Sequence, residues 1–364
     1  MHKSKPYRYK SDWLFLLSVC VFINILVSVT CTYTYGQSTK SDSLKILLNS
    51  STDTTRVNIM IQLSNWYRNS NTDTSEIYAK QAYALASETN YKRGIARGKQ
   101  ELGRIEILKG NFPKALELTY ETLKMQETLH DNLQIGYAHV DLGSIYGSMS
   151  EYKDALDHFN QSIVYFEKVN AQEGEADAIN NIGIIYDMQG NLDSALIFYN
   201  RSLDFYKLNN AKQKYANTML NIGGVYGLQG NHRKAIENIE KSCQTFIEMN
   251  DYNGITAALN NLAENYKDMG NYKKSIDLAA QSLALSQKYE LKYTESKALF
   301  FLAICYDSLQ LYKQALYYQK LYSQLNETLY NEDNARLMNE MEAKYESEKK
   351  EKKLHCSKIL ITME

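Results

Sequence analysis

The chain has 364 residues, enough for one large core or two ordinary domains. Its 41 lysines and arginines nearly balance 42 aspartates and glutamates, so no bulk charge points to nucleic acid or to an acidic membrane surface. Two prolines against 30 tyrosines suit long unbroken helices, and five cysteines without paired spacing indicate neither a disulfide framework nor a zinc site.

The first segment, 1–36, opens on the basic stretch MHKSKPYRYK and continues into the almost wholly apolar run Trp13–Cys31. This is the layout of a secretory signal, with TYG before Gln37 as its cleavage site. The run of nineteen residues is also just long enough to span a bilayer, which leaves a retained membrane anchor as the alternative. SVTC at Cys31 lacks the leucine and small-residue pattern of a lipoprotein signal. Either way, export to the periplasm or envelope is expected, with membrane contact only through this segment. Residues 37–56, which include DSLKILLNSS, read as a lead-in or capping segment.

From 57 to 330 the chain repeats itself every forty residues. Small residues recur at Gly103, Gly143, Gly183, Gly223, Ala263 and Ala303, and tyrosine follows three places later at Tyr146, Tyr186, Tyr226, Tyr266 and Tyr306. Alanine or serine stands at Ala115, Ala155, Ala195, Ala235, Ser275 and Ala315, and another small residue at Thr122, Ser162, Ser202, Ser242 and Ser282. Within a period the apolar spacing is helical: Ile182, Ile185 and Tyr186 share one stripe, and Leu196, Tyr199, Leu203 and Tyr206 share another. Gln189–Asn191 breaks the two, with glycine for a helix end and asparagine for a helix start. A second break recurs at Leu129, Asn209 and Met249. Each period is therefore expected to be helix–turn–helix–turn. A helical glycine costs about 1 kcal/mol relative to alanine, so its recurrence predicts a crossing too close for a side chain.

The residues of NIGIIYDMQGNLDSALIFYNRSL, beginning at Asn181, resemble the tetratricopeptide repeat in their order of Leu/Ile-Gly, Tyr, Ala, aromatic and small residue. The family's usual unit is about 34 residues and often closes on a proline; here the unit is longer and that proline is missing, so lengthened helices or turns are expected. With a degenerate first unit at Leu63–Ala86, seven units fit into 57–330. The resemblance implies an all-α, right-handed superhelical solenoid, because a lone helix pair cannot bury its apolar face and neighbours must stack. Tyrosine and alanine in these columns are then packing residues. Asp42–Ser70 and the tail 331–364, with its charged stretch Ala335–Lys353, are similar to the flanks of exported bacterial tetratricopeptide sensors that precede a kinase or DNA-binding output. In the tail, Glu340–Lys344, Glu346–Lys350 and Glu348–Lys352 have the spacing of an exposed helix, while sustained coiled-coil heptads are missing. A solvated capping helix and a signal-transmitting coiled coil are both open. A membrane-bound kinase or regulator is an implied partner.

No motif carries catalysis, and no cofactor is implied. His2, His130, His139, His158, His232 and His355 lack metal-ligand spacing with one another or with cysteine. Cys243 and Cys305 occupy columns held elsewhere by leucine and isoleucine. The acceptor-like triplets at Asn160 and Asn200 use serines that the repeat already demands. The resemblance implies that the first helix of each pair lines a concave surface that grips a peptide or protein. Asp141, Asn181, Asn221 and Asn261, with Asn180 and Asn260 beside them, lie in one column of that helix. An amide donates and accepts at once, so such a row could hold a peptide backbone without reading its sequence; bridging of neighbouring helices is the alternative. The basic candidates Arg97, Arg104 and Lys297 lie at opposite ends of the array, which favours a neutral or mixed-charge ligand over an acidic tail. Three functions remain: a sensory or scaffolding peptide binder outside the cytoplasm, a structural scaffold of an envelope complex, and a cytosolic peptide-responsive regulator of the phosphatase-like kind.

Overall fold

The structure is a computed structural model that describes residues 41–68 and 71–329. Trp13–Cys31 and the tail from 330 onward lie outside the described residues. Every element among those described is a helix: α1 (41–50), α2 (Asp53–Tyr67), α3 (Thr72–Glu88), α4 (Lys92–Leu108), α5 (Phe112–Thr128), α6 (Asn132–Ser148), α7 (Tyr152–Lys168), α8 (Gln172–Met188), α9 (Leu192–Leu208), α10 (Lys212–Leu228), α11 (His232–Met249), α12 (Tyr252–Asp268), α13 (Tyr272–Lys288), α14 (Lys292–Ser308) and α15 (312–329). The chain divides into two compact units, 1–205 and 206–364, with the border near the end of α9. In the first unit α2, α4, α6 and α8 are neighbours in that order, each paired with the helix that follows it up to α7; in the second, α10, α12 and α14 stack likewise.

The forty-residue period divides into two halves of twenty. From α3 to α14 each helix has 17 residues, apart from α11 with 18. A helix of this length is about 26 Å long. Short turns join the helices, so the extra length of this repeat lies in its helices. Every twentieth residue from Asn90 to Gln310 adopts the left-handed conformation that ends a helix. After α8 it is Gly190, at φ +74°. The Gly190 N–H donates to the Asp187 carbonyl at 2.8 Å, and the Asn191 N–H donates to the Tyr186 carbonyl at 2.9 Å. Asn191 also starts the next helix, its side-chain oxygen accepting from the Ser194 N–H at 3.2 Å. The recurring tyrosine thus supplies the carbonyl that closes its own helix; Tyr146, Tyr226, Tyr266 and Tyr306 do the same.

A Cβ on Gly190 would meet nothing within 4 Å, so Gly190→Ala isolates the backbone conformation. It is expected to lower stability by about 1 kcal/mol. Gly190→Asn should lose less, because Asn90, Asn170, Asn210 and Asn250 already adopt this conformation. Comparing the thermal melts of the two variants checks this.

The small-residue column is explained by what stands opposite. A Cβ on Gly143 would come within 2.7 Å of the Phe159 ring, and one on Gly183 within 2.8 Å of the Tyr199 ring. On Gly223 it would strike Ile239 and approach the Ala235 carbonyl at 3.2 Å. Where the column turns to Ala263, the corresponding place on α13 is Ala279, and both are fully buried. The glycine therefore makes room for a large side chain of the paired helix. Ala115, Ala155, Ala195 and Ala235 are fully buried, which closes the pair at its tightest point. The serine column is hydrogen-bonded: Ser162 and Ser202 donate to the Phe159 and Tyr199 carbonyls in their own helices. Ser242 and Ser282 donate across the pair to Ala216 and Thr256. Ser162 and Ser202 are thus fully buried as the repeat demands, while Asn160 and Asn200 of the two triplets are exposed. The tyrosines are half-buried and stack on the paired helix, Tyr186 on Phe198 at 5.3 Å and Tyr306 on Tyr318 at 5.4 Å.

Candidate peptide-binding face

The candidate binding residues lie on the first helices of their pairs, α6, α8, α10 and α12. The structure separates them into two groups. Asn260 is 1 % exposed, and its amide nitrogen donates to the Thr294 carbonyl of α14 at 2.9 Å. This residue bridges neighbouring helices, and its Oδ1 is buried without a partner. Asp141 is also bound within the protein. It accepts from Arg104 Nε at 2.8 and 3.0 Å and from the Gln100 amide at 2.9 Å. Arg104 continues to Glu101 at 2.9 Å, and Glu101 to Arg68 at 3.0 Å. The result is a charge-balanced chain from Arg68, just after α2, through α4 to α6. Burial works against the Arg104 charge, but Asp141 and then Glu101 outweigh it and hold the guanidinium protonated.

Asn180 and Asn181 are half-buried on α8 in the first unit. In the second unit Asn221 of α10 and Asn261 of α12 are half-buried at equivalent places on adjacent helices. Among the described residues, the side-chain amides of Asn181, Asn221 and Asn261 make no hydrogen bond within the protein. One turn beyond Asn221 lies Gly224. A Cβ there would meet nothing within 4 Å, and its backbone is ordinary helix. Among the described residues every other helical glycine has a packing neighbour. Gly224 gives up about 1 kcal/mol of helix propensity for no internal gain. The helix backbone is bared beside an unpaired amide, as it would be where another chain approaches closely. The doublet Gly223–Gly224 was the signal in the sequence; only the first glycine belongs to the repeat column.

Of the basic candidates, Arg104 is neutralised by its partners, Arg97 is half-buried on α4, and Lys297 is exposed on α14. Cys243 and Cys305 are buried, and burial pushes the Cys243 thiol up to about 11, which leaves it unreactive. Two of the histidines meet in the folded chain. His139 and His158, nineteen residues apart on α6 and α7, meet Nδ1 to Nδ1 at 3.0 Å. Sequence spacing does not reveal this pair, because the two places face each other only once the helix pair folds.

The tetratricopeptide repeat family model matches residues 134–208, 174–248 and 254–327, together a little over half of the chain. No curated protein matches. Among solved structures the chain is similar to aspartyl phosphate phosphatase F from Bacillus subtilis, with a TM-score of 0.56 and 12% identity over 75% of this chain and 71% of that one. A Rap protein complexed with competence and sporulation factor gives a TM-score of 0.52 at 12% identity, covering 82% of this chain and 99% of that one. A signal-transduction ATPase with a tetratricopeptide repeat sensor from Pyrococcus horikoshii gives 0.55 at 17% identity, over 72% of this chain and 42% of that one. At these identities the likeness is one of fold. The glycine, tyrosine and alanine columns, the paired helices they build and the family match together place this chain in the tetratricopeptide repeat family.

Proposed function

We propose that this chain is a peptide-binding module that works outside the cytoplasm as the sensory or scaffolding part of a signalling system. The observation that carries the binding half is the face of α10 and α12, where Asn221 and Asn261 present unpaired amides beside the bare backbone of Gly224. Two amides one repeat apart can each take a peptide N–H and C=O, so the ligand is an extended segment held by its main chain. Neighbours of similar fold include a Rap protein complexed with competence and sporulation factor and a protein with a tetratricopeptide repeat sensor, which supports regulatory peptide binding. The export half rests on Trp13–Cys31, and a reporter fused after Gln37 tests it: activity confined to the cytoplasm would remove it.

For binding, peptides selected from a displayed random library on the purified chain serve as probe. The double variant Asn221→Ala/Asn261→Ala is expected to bind them about tenfold more weakly, the loss of one or two net hydrogen bonds. Gly224→Leu should abolish binding while the melting temperature holds or rises. Undiminished binding by Gly224→Leu would sink the proposal.

A further inference from the structure

The third helix pair contains a feature that the fold does not need. His139 of α6 occupies the column filled by Ile179, Met219, Leu259 and Leu299 in the following pairs. His158 of α7 occupies the column of Phe198, Asn238, Leu278 and Tyr318. Two of those four pairs, Ile179–Phe198 and Leu259–Leu278, place two non-ionisable apolar groups where this one places two imidazoles, and no other pair holds a histidine. His139 is 5 % exposed and His158 is half-buried. Their rings lie 5.3 Å apart, His139 stacks on Tyr165 and His158 on Tyr146, and the Tyr146 hydroxyl meets Tyr120 of α5 at 2.8 Å. The charges that act on the pair are Asp154 and Asp157 of α7, both on the His158 side.

We infer that the α6–α7 contact is a proton-sensitive joint, closed while the His139–His158 pair carries at most one positive charge and opened by the second proton. With both rings neutral, one Nδ1–H donates to the other Nδ1. A first proton settles on His158 beside its aspartates and leaves that hydrogen bond intact. A second proton turns both nitrogens into donors and sets two imidazolium rings 3.0 Å apart, where no hydrogen bond can form between them. Burial, and then the neighbouring ring, hold His139 at about 4, below its ordinary value. A histidine with a depressed folded pKa supplies stability that is present above about 6.5 and lost as pH falls toward 4. The helix freed is α6, which carries Asp141 of the ion network.

The test uses the full chain. Imidazole proton resonances, assigned by single-histidine variants, are followed from pH 8 to 4. Two linked steps are expected, with His158 titrating first and His139 last; two independent titrations at the ordinary histidine value overturn the joint. In parallel, His139→Ile/His158→Phe copies the pair used one repeat later. Between pH 7 and pH 5 the wild type is expected to lose about 3 °C or more of melting temperature beyond what this variant loses. Equal losses overturn the proposal, and if the variant does not fold the resonance titration decides alone.

Discussion

Phe166→Ala is expected to destabilise the first unit by about 3–5 kcal/mol, the upper range for deleting a buried ring. The ring is fully buried, and two helices leave room for it by having no side chain: an ideal Cβ on Gly136 of α6 or on Gly174 of α8 would each stand 2.7 Å from it. The slot is therefore made by three helices at once, and an empty slot cannot collapse without moving α8 toward α6. The reciprocal change is also informative. Gly174→Ala improves helix propensity by about 1 kcal/mol, yet should destabilise by about 1–3 kcal/mol, because the ring has nowhere to withdraw. Phe166→Leu combined with Gly174→Ala should lose less than the two single changes added together. Urea unfolding, with amide exchange in α6 to α8 as a local readout, measures all of these. A Phe166→Ala loss under about 1 kcal/mol would mean that the ring does not organise the stack.

Asp141→Ala is expected to lower stability by about 3 kcal/mol or more, because it strands the Arg104 guanidinium against Glu101 alone. Asp141 sits in the column that suggests peptide binding, so the size of this effect separates the two roles. A ligand-facing carboxylate can be removed with little change in the melt, whereas one that holds a buried cation cannot. The double change Arg104→Met/Asp141→Leu should recover most of the loss, since apolar replacement of both partners removes the buried charges together. A double-mutant cycle on thermal or urea stability gives the coupling, and a value near zero would return Asp141 to the ligand face. High salt should leave the coupling nearly unchanged, because these groups are largely buried.

Much of the fold is legible in the residues, for an identifiable reason. Gly183, Tyr186, Gly190, Asn191 and Ala195 each satisfy a local need: a close approach, a helix-closing carbonyl, a left-handed end, a helix start and a tight contact. Repetition of those needs displays them as columns. The amide row was legible only as a row. Asp141 satisfies the same spacing as Asn221 and Asn261, and Asn260 stands beside Asn261, but Arg104 claims the first and α14 the second. Spacing along one helix does not say which neighbour will reach a side chain.

Period, helical class and the recurring breaks were determined by the sequence alone, because they depend on contacts within about twenty residues of chain and are repeated until chance is excluded. The partner of each polar group was decided only by tertiary structure. The closing of α6 on α7 joins His139 to His158, the stacking of α4 beside α6 joins Arg104 to Asp141, and the open side of α10 leaves Gly224 bare. A polar side chain bonds to whatever the packed helices bring within about 3 Å, and that distance is set by the whole stack rather than by its neighbours in sequence.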